Sequence, residues 1–182
     1  MAIFVNFVAF QIGWFAAVLS AAAGQPWVGM LIMAGIIALH LFRAQRPASE
    51  ALLVGACGVL GGAWDSLLVA FGWVSYPSGM LLPFAAPYWI VGMWMLFATT
   101  LNVSLGWLRG RDGLAIAFGA AGGPLAYFTG EKLGGIILVQ PTAALVALGL
   151  GWAVMMPLLL RLADRCGRAG ERAGTPQGWI LD

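Results

Sequence analysis

Apolar residues fill this chain in long runs, set apart by short breaks rich in Gly, Pro and Arg. Six runs lie at about 2–22, 27–42, 51–72, 87–108, 113–131 and 141–162, each near the roughly 20 residues a helix needs to cross a hydrocarbon core. The breaks carry turn signals: "GQP" at Gly24–Pro26, "RAQRP" at Arg43–Pro47, "SYPSG" at Ser75–Gly79, "RGRDG" at Arg109–Gly113, and "VQP" before the last run. The pattern predicts an all-α integral membrane bundle of six transmembrane helices over residues 1–163. A short cytoplasmic tail is expected over 164–182.

Composition sharpens this picture. Of 182 residues, 62% are hydrophobic and 9% charged, with a mean hydropathy of +0.92, whereas soluble domains carry about 25% charged residues. Abundant Gly and Trp fit membrane helices and their interfaces. A net charge of +2, with no basic patch interleaved with aromatics, gives no sign of nucleic acid. Cys57 and Cys166 lie in an apolar run and in the charged tail, and no Cys/His grouping has zinc spacing. No metal site and no cofactor is expected.

Numbering the breaks alternately puts Arg43, Arg46, Arg109, Arg111, Arg161, Arg165, Arg168 and Arg172 on one side and only Lys132 on the other. The positive-inside rule makes the crowded side cytoplasmic, with both termini there. Trp27, Trp73, Tyr76, Tyr88 and Trp89 are then expected at the outer interface, and Trp107 at the inner one. "LSAAAG", with Ala21-Ala22-Ala23, resembles a signal-peptidase site. Against cleavage stand the absent basic n-region, the long apolar run, and Asn6 and Gln11 within it. Retention of residues 1–23 is expected.

Small residues recur four apart, as in Gly58–Gly62–Ser66, Ala115–Gly119–Gly123, Ala126–Gly130–Gly134 and Ala143–Ala147–Gly151. Such stripes let helix backbones approach closely. In the fourth run, Ala98, Thr99, Asn102 and Gly106 share a face that should point inward. Pro124, after Gly122 and Gly123, predicts a kink in the fifth.

The candidate chemistry centres on "GGAWDSLLVAFG", where Asp65 stands among lipid-compatible residues. Its insertion penalty is about 2.5–3.5 kcal/mol at mid-membrane, and the nine Leu, Val and Phe residues of its run return roughly 3–5. The near cancellation demands a partner, water or a proton for Asp65. Tyr127 matches it in depth: each lies 15 residues beyond a charged residue, Glu50 or Asp112, that opens its run from the same side. Glu131 and Lys132 form an outer charged rim. Asn6 and Asn102 lie about 8–10 Å in from the cytoplasmic side, with Gln11 near mid-depth on another face. His40, beside Arg43, reads as a snorkelling residue at the inner rim.

Intramembrane ionisable groups are functional candidates by default. Asp65, Tyr127, Asn102, Asn6, Thr99 and Gln11 are therefore read as the lining of one polar cavity. For the asparagines and the glutamine, interhelical hydrogen bonds of about 0.6 kcal/mol are the simpler role. Nothing matches a nucleophile elbow, a P-loop or a zinc helix.

The stretches "NFVAFQIGWFAAVLSAA", "DSLLVAFGWVSYPSG", "FATTLNVSLGWL" and "GAAGGPLAYFTGEKLG", in this order, resemble a family of small bacterial inner-membrane proteins classed as a domain of unknown function. One departure is Val103, where the family pattern reads "TTLNHSL". The resemblance implies a multi-pass protein of the inner membrane of a Gram-negative type of cell. It carries no assigned catalytic residues. It also implies a link to lipid metabolism, since relatives tend to be encoded near fatty-acid-modifying enzymes such as cyclopropane synthases. The expected partners are membrane lipids and a lipid-metabolism enzyme, with room for a homo-oligomer. Three functions follow: lipid handling in a cavity around Asp65, proton-coupled transport, or a non-catalytic subunit that binds a partner enzyme. Lipid handling is preferred because transporters usually show internal repeats, and none is convincing here.

Overall fold

The computed structural model describes residues 2–173, with side chains described from Ile3 to Arg168. The described chain is helical: α1 (Ala2–Ala22), α2 (Pro26–Arg43), α3 (Pro47–Ala70), α4 (Tyr88–Leu101), α5 (Asp112–Lys132) and α6 (Pro141–Ala173). A two-residue strand β1 (Val74–Ser75) pairs antiparallel with β2 (Ile137–Leu138).

Proline opens three of these helices, at Pro26, Pro47 and Pro141, where its missing N–H would lack a partner anyway. Glycine closes the odd-numbered ones. After α3, Gly72 at φ +67° lets its own N–H reach the carbonyl of Val69 and that of Trp73 reach Leu68. Gly134, at φ +83°, repeats the arrangement after α5. This glycine-capped ending returns the last carbonyls to partners and turns the chain sharply.

Among the described residues, four helices are long and apolar enough to cross a membrane: Ile3–Ala22, Pro26–Arg43, Pro47–Ala70 and Pro141–Arg168. The expected fourth span, 87–108, is corrected. Its helix stops at Leu101, and a turn and a short 3₁₀ segment, Gly106–Leu108, follow. Fourteen residues reach about 21 Å, short of a full bilayer core. The break has a local cause. Asn6 of α1 donates to the Thr99 carbonyl at 3.1 Å and accepts from the Ser104 hydroxyl at 2.7 Å, which satisfies polar groups at the helix end. α5 is continuous through Pro124, and its many glycines keep it below the apolarity of the other four. α6 continues beyond residue 163, so residues 164–173 extend that helix. Residues 174–182 of the expected tail lie outside the described residues.

α4 is the centre of the bundle, packed against α1, α2, α3 and α6. Trp89, Leu96, Ala98 and Leu101 have no exposed surface. The outer surface inverts a soluble protein's pattern: Phe42, Phe84 and Val59 are 88%, 75% and 73% exposed, while Asp65 is 0% exposed. A polar group without surface inside an apolar shell must find its partners in the protein.

Small-residue stripes are consumed by this packing. Gly58 and Gly62 receive Met95 and Val91 of α4, and Gly119 and Gly123 receive Trp152 of α6. A Cβ on Gly119 would stand 2.2 Å from the Trp152 carbonyl oxygen, so the α5–α6 approach requires glycine there.

Candidate functional site

Asp65 is held by three donors from three parts of the chain. Tyr127 of α5 donates to Oδ1 at 2.5 Å, Tyr76 donates to the same oxygen at 3.0 Å, and Trp94 Nε1 of α4 donates to Oδ2 at 2.6 Å. All three partners are buried. This geometry explains the choice of a carboxylate. Both oxygens accept, and an amide would present a donor on one side.

Each donor has its own support. Trp94 lies across the backbone of α3 at Gly61, where a Cβ would fall 1.9 Å from the indole. Its other face stacks on Trp152, with ring centroids 4.5 Å apart and planes at 15°. Tyr76 follows β1 directly and packs edge-on against Trp89 at 5.7 Å. Trp89 in turn donates to the Ser78 carbonyl at 3.1 Å. The β1–β2 pairing thus sets the connector from which Tyr76 turns inward. Tyr127 stands on the buried face of α5 that also holds Gly119, Gly123 and Gly130.

Tyr76 and Trp89 were expected at the outer interface, and both are corrected to the interior, 4% and 0% exposed. Trp27 and Trp107 are 55% and 51% exposed. Lys132 makes no ion pair with Asp65: its ammonium lies 3.6 Å from Glu131 and 4.9 Å from the centre of the Phe128 ring.

Beside this cluster runs a groove of about 370 Å³. α1 packs on α2 and α4, while α5 packs on α6, which leaves α1 and α5 as its two walls. Phe7 and Trp14 line one wall, Phe118 and Leu125 the other, with Trp94, Tyr127 and Trp152 below. Gln11 lines the groove as well. Several wall residues are also exposed on the outer surface, among them Phe7, Phe118 and Leu125. The groove is therefore open sideways along the helices. Two of the three donors to Asp65 face it, and Asp65 stands behind them.

The remaining predicted residues gather elsewhere. Asn6, Thr99 and Asn102 surround a different cavity toward the Arg-rich end of the bundle. Asn102 donates to Glu50 Oε1 at 2.6 Å, and the Thr99 hydroxyl donates to the Leu96 carbonyl at 2.7 Å. Glu50 is about 22 Å from Asp65 along α3, from 15 residues of helical rise. His40 is also corrected. It is held by Glu50, with Nε2 3.0 Å from Oε2 and its side chain 14% exposed, rather than snorkelling at the rim. Glu50, Ser104, Tyr76 and Trp94 are the polar partners that sequence reasoning missed. Glu50 alone had a signal, an acid in a first helical turn three residues after the helix-opening proline.

These features define a helical bundle with membrane-compatible helices and an enclosed carboxylate. Residues 3–158 match the model of a protein family of unknown function, DUF2878, and the chain belongs to that family. No curated protein and no solved structure matches it.

Proposed function

We propose that the chain is a multi-pass inner-membrane protein that handles a lipid or similar amphiphile, with the apolar part of the ligand in the α1–α5 groove. The observation that carries this reading is the groove itself: sideways-open, apolar-walled, and floored by the indole and phenol that hold Asp65. Its volume is within the range of small-molecule sites, about 300–1,000 Å³. A lateral mouth fits a ligand that arrives from the bilayer rather than from water.

In this reading six segments lie in the membrane, with α4 shielded by its neighbours and both termini cytoplasmic. The support is the gathering of eight of nine basic residues on one side of the alternating breaks. Asp65 fixes the floor of the groove by anchoring Trp94 and Tyr127. The small-residue stripes are filled from within by Met95, Val91 and Trp152, which favours lipid handling over a role as a partner-binding subunit. A lipid-metabolism enzyme would then act on the same lipid pool without needing those stripes.

Gly122 lines the groove, and a Cβ there meets nothing within 4 Å. Gly122→Leu therefore fills the groove without disturbing the core. The test is photolabelling of the protein in nanodiscs with a diazirine-bearing fatty acyl phospholipid, followed by peptide mapping. Labelling is expected on α1 between Phe7 and Val18 and on α5 between Phe118 and Thr129, reduced several-fold by Gly122→Leu. Uniform labelling of all lipid-facing helices, unchanged by the substitution, refutes the reading. A whole-cell lipid profile of a deletion strain, complemented by the parent or by Gly122→Leu, identifies the species handled.

A further inference from the structure

The Arg-rich end of the bundle contains a second cavity, about 810 Å³, on the far side of the α1–α4 packing from the groove. Four arginines line it from separate parts of the chain: Arg43 at the end of α2, Arg46 in the following turn, Arg109 before α5, and Arg168 in α6.

The acids in this lining are Glu50 and Asp164, and both are engaged. Glu50 has one oxygen bonded by Asn102 and the other by His40. Asp164 faces Arg109 Nε at 3.3 Å. Among the described lining residues, guanidiniums outnumber carboxylates four to two. Arg43 and Arg168 are exposed and have no ion-pair partner among the described residues. Arg46 is held by a bond of 3.0 Å from Nη1 to the Gly167 carbonyl, which ties the α2–α3 turn to α6.

Deeper in, the lining changes character. Ala9 and Ile36 lie about one and two helical turns further into the bundle than Asn6 and Arg43. The cavity thus has a cationic mouth and an apolar interior, joined by the polar side chains of Asn6, Thr99 and Asn102.

We propose that this cavity is a binding site for the anionic phosphoryl group of an amphiphile, with the arginines at the phosphoryl oxygens and the apolar interior against its carbon chain. Guanidinium forks match phosphate geometry with paired N–H donors, which neither lysine nor a solvated rim provides. Asp164 orients Arg109, while His40 and Asn102 hold the Glu50 carboxylate away from the incoming anion. The site shares no lining residue with the α1–α5 groove, so it stands or falls separately from the lipid reading of that groove.

The experiment is isothermal titration of the full chain in phosphatidylcholine nanodiscs. The titrants are dihexanoyl phosphatidic acid, inorganic phosphate, and dihexanoyl phosphatidylcholine as the zwitterionic control. Phosphatidic acid is expected to bind, more weakly as salt rises, and the double variant Arg43→Gln/Arg168→Gln to lose about tenfold or more in affinity. Ser49→Glu, which adds a carboxylate to the lining while leaving every arginine in place, is expected to do the same with an unchanged thermal midpoint. If inorganic phosphate binds as tightly as phosphatidic acid, the arginines bind free phosphate, the carbon chain adds nothing, and the assignment to an amphiphile is overturned. If phosphatidic acid binds no better than phosphatidylcholine, or binds both variants as it binds the parent, the proposal is overturned.

Discussion

The Tyr127 hydroxyl donates to Asp65 Oδ1 at 2.5 Å, across 62 positions of sequence, and joins α5 to α3. With Tyr76 on the same oxygen and Trp94 on the other, the bond turns a carboxylate without surface into a junction of four chain segments: α3, the connector after β1, α4 and α5. What an apolar interior would reject becomes the tie that holds the groove floor.

Replacing Asp65 separates insertion from folding. Asp65→Asn keeps one arrangement without clash, with its oxygen toward Trp94 and its amide toward the two hydroxyls, which can turn to accept. It is expected to fold, with a modest loss of stability. Asp65→Leu is expected to raise the amount inserted yet lower stability by about 3 kcal/mol or more, because three buried donors lose their acceptor at about 1–3 kcal/mol each. Membrane level by immunoblot and SDS-induced unfolding in micelles read the two effects apart. A Leu variant as stable as the parent would refute the junction.

Tyr76 and Tyr127 share one oxygen, so their contributions should not add. Tyr76→Phe and Tyr127→Phe are each expected to cost about 1–2 kcal/mol. The double variant should depart from the sum by about 0.5 kcal/mol or more. A double-mutant cycle of unfolding free energies measures the coupling, and strict additivity would mean that the hydroxyls act independently.

Gly61 and Gly55 offer a paired comparison within α3. A Cβ at Gly61 collides with the Trp94 indole at 1.9 Å, whereas one at Gly55 meets nothing within 4 Å. Gly61→Ala is expected to displace Trp94 from Asp65, lower the thermal midpoint and shift tryptophan emission. Gly55→Ala should be neutral or stabilising by about 0.5–1 kcal/mol, since it removes glycine from a helix interior. Equal effects would show that Trp94 is not fixed by the α3 backbone.

The Arg161–Asp112 pair joins α6 to the start of α5 on the surface, with side chains 61% and 53% exposed. Exposed pairs are worth about 0–1 kcal/mol. Arg161→Ala should therefore change unfolding free energy by no more than that, and by less at high salt. A larger loss would indicate that this pair, rather than glycine packing, holds α5 on α6.

Much of the architecture was legible from apolar runs and their Gly/Pro breaks, because helix length and chain reversal are local properties. The Tyr127–Asp65 contact was legible too, since counting rise from the two charged helix starts sets both at one depth. Tyr76 was not. Its place depends on β1 pairing with β2, whose strands are separated by more than sixty residues. Trp94 was hidden by its type, because an indole in an apolar run reads as interface or core and its N–H partner lies on another helix. The early end of α4 was missed because Asn102 continues a helical pattern. The feature that supports the stop is Asn6, far away in α1. The single cavity inferred from polar residues became two sites because depth alone does not tell which side of the α1–α4 packing a residue faces.

The three donors to Asp65 also form a schedule. A ribosome reaches Tyr76 11 residues after Asp65, Trp94 after 29 and Tyr127 after 62. The first partner is thus made with the connector that follows α3, the second with the next helix, and the last only after α5. Until then the carboxylate lacks its full set of ligands, and β1 lacks the strand that holds its connector in place. A chain stalled before residue 127 would carry an Asp65 whose solvation is unfinished. The completed junction is therefore a marker, built into the protein, of a bundle whose first five helices have all been delivered.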